Sequence, residues 1–147
     1  MKKRFMIGNT VRKNTGKIAT IYHIGGPGMV ENNNTYVLRT IPNGGTIGAA
    51  YLEIAYDDEF DVIPLTDKIL LDSKFKKLEN NNTEGPSMYE HFMFLGSYGP
   101  CVTKEIDARD NSSIYTVAGI VIRTVDELQN IMNICGVNEI ADNITIK

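Results

Sequence analysis

The side chains of this 147-residue sequence that could do chemistry are two histidines, two cysteines and one acidic run. Histidine titrates near neutral pH and is the usual general base, but neither His23 nor His91 has a nucleophile motif around it. Cys101 and Cys135 lack the spacing of metal-binding pairs. Because no acid–base or nucleophile pair is visible, we predict a protein that is not an enzyme and that needs no cofactor.

The acidic run consists of Asp57, Asp58, Glu59 and Asp61. A calcium-binding loop needs oxygen ligands at alternating positions, a turn glycine and a more distant glutamate. These features are missing around the run, so we interpret it as a solvated loop and predict no metal site.

Two glycine-rich segments, at 25–28 and 44–48, could present backbone N–H groups to an anion. A phosphate-binding loop needs a strand before it, a helix after it and usually a lysine. Neither segment has all three, so an ordinary turn is the favoured interpretation of each segment alone. Two such loops on one small domain nevertheless indicate a ligand or partner surface. The candidate binding residues are Arg12, Lys13, His23, Arg39, Gly44, Gly45 and Tyr51.

The formal net charge of −3 argues against broad nucleic-acid binding, which needs an excess of lysine and arginine on one face. Basic residues near the start, including Arg12 and Lys13, leave phosphate binding open beside the simpler interpretation of a solvated strand edge. No signal peptide is predicted, and no stretch approaches membrane-spanning length. We therefore expect a soluble intracellular protein without membrane partners.

The first half is predicted to consist of short strands separated by turns. The segment Asn14-Thr15-Gly16 is a tight turn, because Gly and Asn tolerate positive φ. Four or five short strands within about sixty residues, and no helix, are typical of a small SH3-like or OB-like barrel. The predicted strands are 5–11, 17–24, 35–41 and 51–56, with 62–63 leading into a hinge.

The hinge is predicted to become a helix over 66–76. Pro64 does not fit inside a helix, Thr66 is a good N-cap, and Asp67 suits the positive N-terminal end. The stretch 79–86 contains no apolar residue and is predicted to be a loop.

The second half is predicted to contain three antiparallel strands and one helix, with 114–123, apolar on both faces, as the central strand. Thr124 and Glu127 form a capping box before a helix over 125–135, which Gly136 ends. The other two strands of the three are 89–95 and 101–107. In addition, Ile140, Ile144 and Ile146 are assigned to a short final strand.

The sequence thus predicts an α+β chain of three parts. A small antiparallel barrel occupies 1–63, a connecting helix occupies 64–78, and a module of sheet plus helix at 79–147 packs on the barrel.

Several short motifs carry a resemblance to known proteins. They are Ile7-Gly8-Asn9-Thr10-Val11, Ile63-Pro64-Leu65-Thr66, Ile69-Leu70-Leu71, Phe75-Lys76-Lys77, Val125-Asp126-Glu127-Leu128-Gln129-Asn130 and Ile134-Cys135-Gly136-Val137. In these motifs the chain resembles a group of small proteins from Bacteroides-type gut bacteria, their phages and their mobile elements. The resemblance implies a small barrel, a Pro-Leu-Thr helix and an α/β tail, located in a bacterial cytoplasm or a virion. It supplies no catalytic motif.

We therefore expect a binding protein, a phage or mobile-element accessory factor that docks on another protein in virion assembly or host inhibition. Two alternatives stay open. One is a binder of a small anionic ligand that sequesters a host signalling nucleotide, and the other is a weak nucleic-acid-binding barrel. Each half has a small core and 114–123 is apolar on both faces, so we also expect self-association into a homo-oligomer.

Overall fold

Two antiparallel sheets and three helices make up this chain in a computed structural model that describes residues 5–27, 34–40, 51–78, 82–84, 87–95 and 100–146. The described fold is α+β and consists mostly of strands. Residue contacts divide the chain into two compact units, Met1–Ile63 and Pro64–Lys147.

The part of the first unit that the structure describes contains one five-stranded antiparallel sheet. Its strands are β1 (Thr10–Lys13), β2 (Ile18–Pro27), β3 (Asn34–Thr40), β4 (Tyr51–Tyr56) and β5 (Phe60–Asp61). They are hydrogen-bonded in the order β4-β3-β2-β1-β5.

The predicted turn at 14–16 joins β1 to β2. Gly16 has a φ of 90°, and its N–H donates to Lys13 O at 2.8 Å. A side chain at this φ would be strained, so glycine is required here. This turn is confirmed, although the first strand begins at Thr10 and not at residue 5. The second strand also runs through 25–27, where we expected a loop.

The core of the first unit lies on one face of its sheet. Buried side chains alternate along the strands, as the two-residue period of a strand demands. Phe5, Tyr36 and Phe60 form an aromatic cluster there, with ring centroids 5.2–6.1 Å apart. The other members of the core are Val11, Ala19, Ile21, Leu38 and Ala55.

The sheet of the first unit must be strongly curved. In a flat sheet, four strand spacings would separate β4 from β5 by about 19 Å. Only 57–59 connect these two strands, and the four Cα-to-Cα steps from Tyr56 to Phe60 reach at most about 14 Å. An ion pair between Lys13 on β1 and Glu53 on β4 fits this curvature. Among the described strands β4 and β5 do not pair with each other, so no closed barrel is formed there.

In its described residues, the second unit contains a six-stranded antiparallel sheet and three helices. Its main strand order is β11-β10-β9-β8-β6, and β7 pairs with the start of β8. Its elements are α1 (Asp67–Asp72), β6 (Phe75–Lys77), β7 (Asn82–Glu84), β8 (Ser87–Phe94), β9 (Val102–Asp107), β10 (Ser113–Val117), β11 (Ile120–Ile122), α2 (Val125–Ile134) and α3 (Asn138–Asp142).

One face of this sheet carries the buried side chains of the strands. Phe92 lies opposite Val102, which lies opposite Val117, and all three are fully buried. On α2 the buried residues Val125, Leu128 and Met132 recur at the three- and four-residue spacing of a helix that packs along one stripe. None of the helices in the described ranges has the length and apolar character needed to cross a bilayer.

The hinge helix is shorter than predicted. Thr66 is confirmed as the N-cap, because its Oγ1 accepts from Ile69 N at 3.2 Å. The helix ends at Asp72, where Lys74 takes a φ of 69° and turns the chain. Phe75 then starts a strand and is buried against Phe94, with ring centroids 5.5 Å apart. The predicted helix over 66–76 is therefore wrong after residue 72. Residues 75–77 form a strand instead, because its pairing with β8 and the burial of Phe75 outweigh the helix propensity of this segment.

The apolar stretch 114–123 is a hairpin and not one central strand. Ala118 and Gly119 have φ values of 51° and 80° and reverse the chain between β10 and β11. As a result β11 is an edge strand. In the described residues the sheet has six strands instead of three, because β6 and β7 also join it. Within 79–86, where we expected only a loop, Asn82–Glu84 forms β7.

The end of the chain also differs from the prediction. The residues 138–142, which overlap the expected final strand, form α3 and bury Ile140 and Ala141. Gln129 Nε2 donates to Ala141 O at 3.0 Å and joins α3 to α2. The Thr124 half of the predicted capping box is wrong, because the Thr124 side chain makes no cap hydrogen bond. Glu127 Oε2 accepts from Arg123 N, one residue before the N-cap, at 2.8 Å.

Candidate functional site

The outer face of the first sheet, opposite its core, carries a group of exposed apolar side chains. Two cross-strand rows cover β2, β3 and β4. We call these two rows, together with Tyr22, the outer-face patch. One row is His23, Val37 and Ile54, and the other is Thr20, Arg39 and Leu52.

The patch exposes three large side chains of mainly apolar character. Ile54 is 73% exposed, Leu52 57% and Tyr22 53%. Single exposed apolar residues are common on protein surfaces, whereas large contiguous apolar patches mark contact sites. Leu52 and Ile54 project from neighbouring positions of β4, which lies at the edge of the sheet.

A bulge in β2 shapes the patch. Ile21 lies opposite Leu38 and His23 lies opposite Val37, so Tyr22 is an extra residue in the register. Ile21 and Ile24 both remain against the core, while Tyr22 and His23 are exposed. Bulges often redirect side chains at functional sites, and here the bulge adds an aromatic ring to the outer face.

The structure brings two of the predicted site residues, His23 and Arg39, onto this patch. Arg12 lies on the same face of the sheet, exposed and opposite Ile18. Lys13 lies on the opposite face, where it pairs with Glu53. Of the remaining predicted site residues, Tyr51 begins β4 opposite Thr40. Gly44 and Gly45 lie outside the described residues.

Sequence reasoning missed Leu52 and Ile54. The signal was the alternation in Tyr51–Tyr56, where Leu52 and Ile54 share one face and Glu53 and Ala55 share the other. That pattern ordinarily assigns the apolar pair to the core. In the structure the small Ala55 faces the core and the large pair faces outward.

A second group of polar side chains lies in the second unit at the start of α1. Asp67 Oδ1 accepts from Tyr115 Oη at 2.5 Å, and Asp67 Oδ2 accepts from Lys104 Nζ at 3.0 Å. The Lys104 ammonium also lies 5.8 Å from the centre of the Tyr115 ring. Glu90, nearly buried on β8 opposite Lys104, forms an ion pair with Lys77.

The electrostatics of this polar cluster fix its protonation state. Burial acts to raise the pKa of Asp67, but the hydrogen bonds from Tyr115 and Lys104 and the charges of Lys104 and Lys77 together lower it below its usual value. Burial, followed by the hydrogen bond to Asp67 and the nearby carboxylates, raises the pKa of Tyr115. Tyr115 is thus a protonated hydrogen-bond donor and not a base.

This polar cluster has a structural role. Its two acids and two lysines balance in charge and pair with one another, and its hydrogen bonds join the first turn of α1 to β9 and β10. These contacts hold α1 in place, and each of the two carboxylates is bound to a partner within the cluster. Within the described ranges, no group of three or more His, Cys, Asp or Glu residues is arranged to hold a metal ion.

The two histidines lie in different units. His23 belongs to the outer-face patch, while His91 Nδ1 lies 3.2 Å from Thr103 Oγ1 on the face of the second sheet opposite its core.

Comparison of the chain with protein-family models, with curated proteins and with solved structures found no match.

Proposed function

We propose that this chain is a protein-docking module and that the outer-face patch is its contact surface. The observation that carries this proposal is the exposure of Leu52 and Ile54 side by side on an edge strand. Each fully buried aliphatic side chain contributes about 1.5–3 kcal/mol relative to an exposed one. Covering the two residues would therefore favour association, and Arg39 and His23 supply the polar contacts that specific interfaces carry beside an apolar centre.

The proposed fold of the docking unit is an SH3-like arrangement. Three observations support it: the strand order β5-β1-β2-β3-β4, the short connection from β4 to β5, and the ion pair between Lys13 and Glu53 on the core side. The first two together require a small, strongly bent sheet with one packed interior. On the sequence resemblance alone, we also propose a cytoplasmic or virion-associated accessory factor of a phage or mobile element.

Site-specific photo-crosslinking tests the docking function. A photoreactive benzoylphenylalanine is placed at Ile54 and, as a matched control, at Ile134, which is 78% exposed at the end of α2 in the other unit. Irradiation is carried out in cells that carry the natural gene. We expect one adduct of fixed mass from position 54 and none from position 134, and Leu52→Lys in the same chain should abolish that adduct.

Two results would contradict the docking function. One is the absence of any adduct from position 54. The other is a similar set of adducts from positions 54 and 134, because exposure alone would then explain the labelling. Circular dichroism of the purified variants serves as the check that each retains its fold.

A further inference from the structure

We propose that the partner of the outer-face patch is a second copy of this chain, joined by antiparallel pairing of β4 with β4 of that copy. The proposal rests on the docking function above and adds the identity and the register of the partner. It follows from a comparison of the edge strands, from the pattern of side chains along β4 and from the charges beside it.

The edge strands of the two sheets differ in how well they are protected against pairing. Natural edge strands are kept from pairing by short length, by lysine or proline, by bulges or by inward-pointing charged residues, among other devices. Among the described strands, β5 has two residues, β7 and β11 have three each, and β6 is Phe-Lys-Lys. Each of these edges is short, and β6 is also charged.

Strand β4 is not short and has no lysine, proline or bulge, and its one inward-pointing charge, Glu53, is paired with Lys13. It is six residues long, it contains no lysine, arginine or proline, and it pairs with β3 in an unbroken register from Tyr51 to Tyr56. In the described part of the chain, β3 is the strand with which it pairs. A long, regular edge with exposed aliphatic residues is a template for another strand.

The sequence of β4 is self-complementary in one antiparallel register. When Ile54 lies opposite Ile54 of the second copy, Leu52 lies opposite Tyr56 of that copy and Glu53 lies opposite Ala55. Residues directly opposite share a face, so the apolar residues Leu52, Ile54 and Tyr56 of both copies come together on the outer face. A two-fold axis through the Ile54 pair gives each copy identical contacts, as a closed dimer requires.

The charges select this register. Glu53 is the only charged residue of β4, and Lys13 of the same chain pairs with it on the core side. In the register centred on Ile54, Glu53 faces the neutral Ala55. A shift by two residues would place Glu53 opposite Glu53 of the second copy, and like charges directly opposite are destabilising.

Disulfide crosslinking of single-cysteine variants tests both the partner and the register. The native cysteines are first replaced, as Cys101→Ser and Cys135→Ser, and the resulting protein is checked by circular dichroism. Directly opposite Cα atoms lie about 4.5–5.5 Å apart, within the range that a disulfide bridges. Ile54→Cys should therefore give a covalent dimer on mild oxidation, read out by intact mass.

The control variants separate this register from random collision. Leu52→Cys alone should stay monomeric, because the two copies of residue 52 would lie more than about 10 Å apart. The double variant with Leu52→Cys and Tyr56→Cys should crosslink, since these positions face each other across the pair. Without oxidant, light scattering should show a dimer of the natural sequence that Ile54→Lys converts to a 16.4 kDa monomer and that Ile134→Lys leaves intact.

The outcomes distinguish this proposal from the docking function on which it rests. A natural sequence that stays monomeric at all concentrations, or Leu52→Cys crosslinking as readily as Ile54→Cys, overturns pairing of β4 in this register. If position 54 then still gives a photo-adduct with a different protein, docking stands and the second copy is wrong. If position 54 gives no adduct at all, both proposals fail.

Discussion

Asp67 is held in its charged form by two donors from neighbouring strands, Tyr115 and Lys104. Its side chain is 37% exposed, so solvent screening weakens the pair, and the net contribution of the two contacts to stability is about 1 kcal/mol. The same geometry makes this contribution depend on pH.

We expect Asp67→Asn to lower the free energy of unfolding at pH 7 by about 1 kcal/mol. The pKa of Asp67 is lower in the folded chain than its ordinary value of 3.8, so its stabilising effect is complete above that value. The effect is lost as the pH falls through the lower folded pKa. The difference between natural and variant protein, measured by urea unfolding, should therefore shrink from pH 7 to pH 3.

A second carboxylate titrates in the same range. Hydrogen bonds from the Arg109 side chain and backbone lower the pKa of Asp107 to about 2. Both proteins contain this residue, so its effect cancels in the difference between them. A stability difference that stays constant from pH 7 to pH 3 would show that Asp67 does not carry the pH dependence.

At the residue scale, the sequence predicted part of the candidate site. His23 and Arg39 were expected as binding residues, and they lie together on the outer-face patch. Leu52 and Ile54 were missed, because alternation separates the two faces of a strand without saying which face is covered. Ala55 is buried in the core that contains the aromatic cluster, so its face of β4 points inward and Leu52 and Ile54 point outward. The aromatic cluster is assembled from residues distant in sequence, so the alternation within β4 alone does not reveal which face is covered.

At the scale of single elements, the hairpin between β10 and β11 contains an unfavourable residue. Ala118 has a φ of 51°, and only Gly, Asn and Asp adopt this left-handed region readily. The following Gly119 also has positive φ, which is the pattern of a two-residue hairpin turn with Asn-Gly as its preferred sequence.

We expect Ala118→Asn to raise the free energy of unfolding by about 0.5–1 kcal/mol, because asparagine tolerates the left-handed region that alanine resists. Thermal and urea unfolding measure the gain. Ala108→Asn is the matched control, since Ala108 is exposed in the neighbouring hairpin turn without positive φ, and it should change stability little. An equal gain from both substitutions would argue against relief of backbone strain.

The same hairpin explains where sequence reasoning about elements succeeded and failed. The turn at Gly16 and the cap at Thr66 have strong local signals, and both are confirmed. Ala118-Gly119 has a weak turn signal inside an apolar run, so the run was interpreted as one strand. The isoleucines near the end of the chain were assigned to a strand, whereas packing against α2 makes their first part a helix.

At the scale of the whole molecule, each unit has its own buried core. Leu38 belongs to the core of the first unit and Leu128 to that of the second, and both side chains are fully buried. We expect Leu38→Ala and Leu128→Ala each to lower the free energy of unfolding of its own unit by about 2–5 kcal/mol.

Hydrogen–deuterium exchange measured by mass spectrometry reads this effect segment by segment. Leu38→Ala should accelerate exchange most in peptides of the first unit, and Leu128→Ala most in those of the second. The exposed Leu71→Ala serves as control and should accelerate neither. Equal acceleration in both units from either core substitution would mean that the two units open as one.

The closure of the first unit has a consequence for protein synthesis. Phe5 near the start of the chain packs against Phe60, and β1 pairs with β5, so the first and last parts of this unit meet in its core. At about 5–20 residues per second, a ribosome needs roughly 3–12 seconds to make sixty residues. During that time Phe5 and β1 have been made, while Phe60 and β5, which complete the core and the sheet, are still missing. The first unit therefore cannot complete its core until almost all of its residues have been made, so its folding during translation waits for Phe60 and does not proceed strand by strand from the N-terminus.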